Sequence, residues 1–197
     1  YANWNGLDQY NRNPYWDLYK NQNKSDKDVF RFTAKAIYNV DSHLKIQGTI
    51  GTDINDMNFQ DYIARTTPGK SAGQLQESVF KNRTLNAELL ALYNNQFGDF
   101  DVNATLGGNI FKVDNKTTIF TGLSEQMPGV IAIMNYQEQS VQQNTYKKQI
   151  NSIYGSASIG YDHTYYLEGT LRGDKASTLP TGNNTYVYPS VSGSWVF

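Results

Sequence analysis

Two short segments of the sequence place a histidine beside an aspartate, a composition that hydrolytic sites use. Asp41, Ser42 and His43 are consecutive, and Asp162 directly precedes His163. A Ser-His-Asp triad is defined by its geometry, which neighbouring residues in a tight turn do not supply. Asp and Ser are common in turns because their side chains bond to the nearby backbone. We therefore interpret both segments as turns and predict that the protein is not an enzyme.

A second polar group, Asp53, Asn55 and Asp56, carries the oxygen ligands that a cation prefers, but its spacing does not match an EF-hand loop. The sequence has 0 Cys and 2 His, which argues against Cys and His zinc sites. A net charge of -1 without a basic block gives no support for nucleic-acid binding. We predict no metal, no cofactor and no nucleic-acid partner, and interpret the polar group as solvated residues of a protein wall.

Aromatic side chains outside the predicted strands are the best candidates for binding a ligand or a partner. Aromatic residues make up 14% of the sequence, and 15 residues are Tyr. These rings combine a large apolar surface with a polar tip, and long loops often carry function. The predicted binding residues are Trp4, Tyr15, Trp16, Tyr62 and Tyr136. For the first 27 residues, the alternative is that the aromatics pack beneath a loop or form a membrane-interface belt.

The segments that must position these residues alternate between apolar and polar side chains, as β-strands do. In residues 30–40 the even positions are aromatic or aliphatic, whereas the odd positions include Arg31 and Lys35. The alternation resumes after a short turn, over residues 44–54. Strands longer than about ten residues, with one apolar and one strongly polar face, are typical of a transmembrane β-barrel wall.

Further segments complete a set of about seven predicted strands. They cover residues 79–94, 100–113, 149–161, 165–174 and 186–197. Residues 79–94 also suit a short helix by composition, but their unbroken period of two favours a strand. Short turns alternate with long loops, at 64–78, 114–148 and 175–185. Because no apolar run approaches the ~20 residues of a membrane helix, the pattern predicts an all-β protein, an antiparallel transmembrane β-barrel wall.

The predicted loop at 114–148 contains an apolar island with Val130, Ile131, Ile133 and Met134. Loops of this length are uncommon unless they have a function. Two interpretations are open. The island forms a small helix or plug that packs on the rest of the protein, or it contacts a partner or lid.

The two faces of the predicted wall have different compositions. Aromatic residues gather on the apolar face near the short turns, where they predict a membrane-interface girdle. The girdle residues are Tyr38, Tyr93, Phe100, Tyr161 and Tyr165. The polar face carries charges of both signs, which suit a wide aqueous lumen or contacts to an inserted plug. The predicted lumen-facing charged residues are Arg31, Lys35, Asp53, Glu88, Glu168 and Arg172.

Several motifs resemble the SusC/RagA family of TonB-dependent outer-membrane transporters. They are NPYW at 13–16, RFTAKAIY at 31–38 with LKIQGTIGTD at 44–53, ALYNNQFGDFDVNATLGGN at 91–109, SIYGSASIGY at 152–161, and YLEGTLRGD followed by YPSVSGSW at 166–195. The resemblance covers nearly the whole sequence but only the middle of such a protein. The sequence departs from the usual Arg-x-Asp-Gly-Ser pattern at residues 172–177, which alters the chemistry of that loop.

The resemblance implies that residues 1–197 belong to one outer-membrane β-barrel domain of a 22-stranded barrel, with the plug domain and the final strands lying elsewhere. It also implies a bacterial outer-membrane location in contact with the lipid bilayer, a SusD-like surface lipoprotein as a lid, energy from the TonB system, and a glycan or peptide substrate. The alternative is a complete small eight-stranded outer-membrane barrel with a structural or adhesive role.

Overall fold

The computed structural model describes residues 13–197, which form one seven-stranded antiparallel sheet with the strands in sequence order. The strands are β1 Gln22–Asn39, β2 Leu44–Ile63, β3 Gln74–Phe97, β4 Phe100–Glu125, β5 Tyr136–Tyr161, β6 Tyr165–Ala176 and β7 Thr185–Trp195. A short helix, α1 Pro14–Tyr19, precedes β1, and a 3₁₀ turn, Ile133–Asn135, precedes β5. The all-β fold is therefore confirmed, and within residues 13–197 the sheet is open.

Local sequence explains the first helix. Asn13 caps α1 by accepting a hydrogen bond from the Tyr15 amide at 3.0 Å, and Pro14 occupies the first helical position, where no amide donor is needed. The interpretation of the first 27 residues as loop is wrong for this helix and for the start of β1. Neither helical segment within residues 13–197 has the length and hydropathy that crossing a membrane requires.

The strands are longer than the sequence predicted. The segment 79–94 is a strand, as its period of two favoured, and lies within β3. The predicted loop at 114–148 is wrong, because β4 continues to Glu125 and β5 begins at Tyr136, leaving a connection of residues 126–135. The loop at 64–78 is likewise shorter, because β3 begins at Gln74.

The described chain divides into two compact units. Unit 1 comprises residues 13–29 together with 54–82 and 115–146, and unit 2 comprises residues 30–53, 83–114 and 147–197. The four buried hydrophobic residues of the described chain, Tyr62, Ala64, Leu75 and Tyr136, all belong to unit 1. Trp16, Ile131 and Ile133 pack against them. The interpretation that the apolar island packs on the rest of the protein is therefore confirmed for Ile131 and Ile133.

Unit 2 instead exposes its large apolar side chains. Leu106 is 62% exposed, Ile153 66% and Val191 79%. Soluble monomers rarely expose contiguous apolar surface on this scale, and such a surface marks contact with a membrane or with a partner.

The strand register separates two faces in β5, β6 and β7, because residues paired across neighbouring strands share a face. One face carries the rows Tyr161–Tyr165–Trp195, Ile159–Leu167–Gly193, Ala157–Gly169–Val191, Gly155–Leu171–Pro189 and Ile153–Gly173–Val187. The other carries Gly160–Tyr166–Ser194, Ser158–Glu168–Ser192, Ser156–Thr170–Ser190 and Tyr154–Arg172–Tyr188. The predicted division into an apolar and a polar face is confirmed for these strands.

Candidate functional site

Tyr154 is the centre of a network on the polar face of unit 2. Its hydroxyl donates a hydrogen bond to the Glu88 carboxyl group on β3. The Arg172 guanidinium lies 5.2 Å from the centre of the Tyr154 ring, within the range of a cation–π contact. Arg172 also donates to Ser152 Oγ at 3.0 Å and to Asp174 Oδ1 at 2.8 Å. Three strands thus contribute to one network in which charges of both signs compensate each other.

A glycine makes room for this network. A Cβ atom at Gly107 would lie 2.5 Å from Tyr154 Cε2 and 2.7 Å from Leu90 Cδ2, which is too close for real atoms. The Tyr154 ring therefore covers the bare backbone of β4, as aromatic residues do over glycines in curved sheets. The mid-strand glycine is consequently a packing requirement of the network.

A second ion pair joins Arg31 to Asp53 at 2.5 Å. Both side chains are well exposed, so the pair contributes no more than about 1 kcal/mol to stability. Glu168 lies in a row between two serines on the polar face, and Lys35 is exposed on β1. The lumen-facing position of these charged residues stays a prediction.

Aromatic residues form a continuous row at the short-turn ends of β4 to β7. The rings of Phe100 and Tyr161 are 4.9 Å apart, and Tyr161 pairs with Tyr165 in the register. The Tyr165 and Trp195 rings stack at 6.4 Å with an angle of 9° between them. Trp195, which the predicted girdle omitted, therefore continues the row.

Two further girdle residues lie at the same kind of turn. Tyr38 is 69% exposed near the end of β1. The Tyr93 ring lies 6.5 Å from the His43 ring. The membrane-interface role of the whole set stays a prediction.

The two Asp-His segments lie in turns, as their residue types predicted. Asp41 Oδ1 accepts hydrogen bonds from the backbone amides of His43 at 2.7 Å and Leu44 at 2.8 Å. These two amides hold the pKa of Asp41 below its usual range. The His43 ring contacts the Asn94 carbonyl at 3.1 Å, and His163 lies 3.1 Å from Asp101. The Asp41 carboxyl group therefore binds backbone amides, and each histidine contacts a residue of a neighbouring strand.

The predicted ligand-binding aromatics have different environments. Trp4 lies outside the described residues. Tyr15 is 63% exposed on α1, whereas Trp16 donates from Nε1 to the buried Thr67 Oγ1 at 2.9 Å. Tyr62 lies inside β2 and Tyr136 begins β5, so their assignment to loops is wrong. Of the four described aromatics, Tyr15 alone offers a largely open ring to a ligand.

Tyr62 and Tyr136 belong to a buried cluster around Glu125. The Tyr62 hydroxyl donates to Glu125 Oε1 at 2.9 Å, and the Gly129 amide donates to the same oxygen at 2.8 Å. Burial, together with the Glu125 hydrogen bond, raises the pKa of Tyr62 to about 12. Burial also raises the pKa of Tyr136 well above its usual value, and the nearby Glu125 adds to the rise. Within the described chain, Glu125 Oε2 and the Tyr136 hydroxyl have no hydrogen-bond partner.

The side chain of Asn135 holds the connection 126–135 in one conformation. The Asn135 side chain accepts from the Met127 amide at 2.9 Å and donates to the carbonyls of Met127 at 2.8 Å and Val130 at 2.9 Å. Met134 is 79% exposed on this connection. The connection is therefore held in place by hydrogen bonds and exposes apolar side chains to its surroundings.

Glu125 and Asn135 were not identified from the sequence. Both lie in the apolar island at 122–140, where an acid and an amide break no periodic pattern. Glu125 binds a partner more than 50 residues away in the sequence. Asn135 binds backbone groups whose positions depend on the conformation of the connection.

The fold of the sheet is similar to part of a set of solved structures. The chain is similar to a solved structure of the RagAB peptide transporter, with a TM-score of 0.85 and 14% identity over 92% of this chain. It is also similar to the RagAB peptide importer in a closed-closed state (TM-score 0.84, 15% identity) and in an open-open state (TM-score 0.82, 15% identity).

The similarity has a defined extent. This chain spans 21% of the length of the matched chain in each of the three structures. No protein-family model and no curated protein matches the sequence. The predicted resemblance to the SusC/RagA family is confirmed at the level of the fold.

Proposed function

We propose that this chain is part of the barrel wall of a TonB-dependent outer-membrane transporter that imports oligopeptides or glycans beneath a SusD-like surface lipoprotein. The observation that carries the proposal is the fold similarity to the RagAB peptide importer over 92% of the chain. The remaining wall, the plug and the contact with TonB belong to other parts of the protein. The names of the similar structures favour oligopeptides, and glycans are the alternative substrate.

The dimensions of unit 2 support a membrane location. A transmembrane strand needs about 9–11 residues, and each strand contributes at least ten residues to unit 2. These stretches are 30–39, 44–53, 83–97, 100–114, 147–161, 165–176 and 185–195. Their apolar face is exposed and ends in the aromatic row, which suits a lipid-facing surface with an interfacial girdle.

The polar face supports a water-filled interior. Serines, threonines and mutually compensated charges line it, so it does not require a dry environment. A wide transporter lumen or a contact with a plug would use such a surface. Tyr15 is the exposed aromatic that we propose as a contact for substrate or lid.

The proposal is tested with two adjacent cysteines, since these 197 residues contain none. In the full-length protein in its own outer membrane, Ser190→Cys should react with a hydrophilic maleimide. Val191→Cys should resist that reagent, and a fluorophore attached there should be quenched by spin-labelled lipids. Equal reactivity at both positions, without lipid quenching, would exclude a membrane wall.

Transport itself is tested in cells that carry or lack the full-length protein. Uptake of fluorescent oligopeptides should depend on the protein and should stop when a protonophore removes the energy source. Uptake of labelled oligosaccharides instead would assign the glycan alternative. Uptake of neither class above the level of cells lacking the protein would refute import.

A further inference from the structure

The first part of β5, before Gln149, has a neighbouring strand on one side only. Strand β5 lies between β4 and β6 in the sheet. Pairing with β6 covers Ile150–Tyr161 and ends where Ile150 meets Ala176. Residues 137–148 of β5 therefore have β4 on one side, and no described strand on the other.

The hydrogen-bonding direction of this free edge follows from its last bonded residue. The Gln149 carbonyl accepts from the Ser177 amide at 2.8 Å, and the Gln149 amide donates to Ser177 Oγ at 2.8 Å, so both groups of Gln149 point towards the β6 side. Successive residues of a strand point their backbone groups to opposite sides. The backbone groups directed away from β4 are those of residues 137, 139, 141, 143, 145 and 147.

A bond near the short-turn end of β5 agrees with this alternation. The Asp162 amide donates to the Asp99 carbonyl, so the backbone of residue 162 points towards β4. Residue 162 lies an odd number of positions from Gln149, whose backbone groups point to the other side, as alternation requires.

The free edge lacks the usual protection against strand addition. Natural edges are blunted with charged side chains such as lysine, with proline, bulges or covering loops, or by short length. The segment QEQSVQQNTYKK at 137–148 has no proline, and residues 137–147 are all exposed. Nine of its twelve side chains are uncharged and five are amides, with Glu138 near one end and two lysines at the other. Lys147 is already paired with Asp114 at 3.3 Å.

A polar groove accompanies the edge. It has a volume of about 330 Å³ and is lined by Thr117 and Ile119 of β4 and by Gln142, Gln143 and Asn144 of β5. In strand addition, the backbone edge supplies affinity, and pockets for alternate side chains supply specificity. The groove lies over the β4–β5 pair, and its lining includes Gln143, whose backbone groups are directed away from β4.

We propose that residues 137–148 bind an extended segment of an extracellular partner protein as an added β-strand. An extended polypeptide matches the spacing of the free donors and acceptors along the edge. The free groups point within the plane of the sheet, so an added strand extends the wall and does not enter a central passage. A long row of backbone hydrogen bonds also dissociates slowly, which suits a resident partner better than a transported substrate.

This inference rests on the proposed function, which places the edge outside the cell and supplies the SusD-like lipoprotein as the partner. The test uses the full-length protein with that lipoprotein in their own outer membrane. A photoreactive p-benzoylphenylalanine at Gln143 should form a cross-link to the lipoprotein, identified by mass spectrometry. The same residue at Ile159, on the apolar face of β5, is the position control and should give no such cross-link.

Two substitutions at Thr145 test the backbone mechanism. Thr145→Pro removes an amide that points away from β4, and edge strands tolerate proline at such positions. We expect it to lower the cross-link yield at least tenfold while the protein reaches the membrane in normal amounts. Thr145→Val keeps the amide and the side-chain volume, so its yield should stay within twofold of the original. If Thr145→Pro fails to fold, residue-resolved hydrogen exchange in the unsubstituted complex replaces it, and removing the lipoprotein should expose the amides at 143 and 145.

Each other outcome would overturn the inference. A cross-link from Gln143 to another segment of the same polypeptide would mean that the protein covers its own edge. Equal yields for Thr145→Pro and Thr145→Val, or exchange at 143 and 145 that ignores the lipoprotein, would exclude backbone pairing. The labelling of Ser190→Cys and Val191→Cys distinguishes the two proposals. If that labelling succeeds and the cross-link is absent, the strand-addition inference alone fails.

Discussion

The two buried tyrosines of unit 1 allow a prediction with an internal control. Tyr62 and Tyr136 are both less than 5% exposed and lie in the same cluster around Glu125. The Tyr62 hydroxyl donates to Glu125 at 2.9 Å, whereas the Tyr136 hydroxyl has no partner in the described chain. Replacing each by Phe removes one oxygen from the same kind of environment. The two substitutions differ in whether a hydrogen bond is lost.

We expect Tyr62→Phe to lower the stability of the cluster and Tyr136→Phe to leave it unchanged or to raise it. Tyr62→Phe leaves a buried Glu125 oxygen with the Gly129 amide as its remaining donor, and leaving a buried polar group short of a partner costs about 1–3 kcal/mol. Tyr136→Phe removes a buried hydroxyl that pays the desolvation cost without a bond, so it should be neutral or stabilising by about 1 kcal/mol. A cost of about 2 kcal/mol corresponds to about a thirtyfold change in an equilibrium constant.

Residue-resolved hydrogen exchange measures the effect in the purified full-length protein. The Gly129 amide donates to Glu125, and the Gln126 amide donates to the Asn135 carbonyl, so both report opening of the connection 126–135. Tyr62→Phe should speed exchange at both amides by about thirtyfold, and Tyr136→Phe should leave it unchanged or slower. The Asp162 amide, bonded to Asp99 in unit 2, is the control and should not respond. Equal acceleration by both substitutions would refute the assigned role of the Tyr62 hydroxyl.

Three further predictions concern pH, packing and the aromatic row. In the folded protein the pKa of Tyr62 is raised to about 12 and that of Tyr136 is raised well above its usual value, so the free energy of unfolding should be unaffected by these groups below about pH 10 and should fall as the pH rises from 10 through 12. A tyrosinate absorbance titration should show late-ionising tyrosines, one fewer in Tyr62→Phe; an unchanged count would contradict the assignment. Gly122→Ala places a Cβ atom 2.6 Å from Tyr136 Cγ and should cost about 1–3 kcal/mol in the exchange assay. Gly169→Ala, which meets nothing within 4 Å, should not speed that exchange, and an equal effect would exclude the clash as the cause. Tyr165→Ala removes the stack on Trp195, worth about 0.5–1.5 kcal/mol beyond buried area, and should lower the unfolding temperature read from heat-dependent gel migration, unlike Glu168→Ala.

The sequence predicted the fold best where one face of a strand is apolar and the other polar. The pattern at 165–174 predicts almost all of β6, which the structure places at Tyr165–Ala176. The same pattern resolved the ambiguity at 79–94 in favour of β3. The polar side of β6 at Arg172 was also identified, although its link to Glu88 through Tyr154 was not, because a network depends on register between strands.

The sequence failed where a strand is solvated on both faces. Residues 137–148 of β5 are almost entirely polar, so they show no period of two and were interpreted as loop. Tyr62 and Tyr136 were assigned to loops because the predicted strands stop short of both residues. Their burial depends on Leu75, Ile131 and other residues that only the tertiary structure brings to them.

The sequence by itself determined the all-β class, the short turns, and the two faces of β5, β6 and β7. It could do so because a strand with different surroundings on its two sides must alternate its side chains. The tertiary structure alone decided how far β4 and β5 extend and that Glu125 is buried and bonded to Tyr62. It also decided that β6 pairs only with residues 150–161 of β5. These features depend on backbone pairing and on contacts between distant residues, which produce no regular alternation of apolar and polar residues in the sequence.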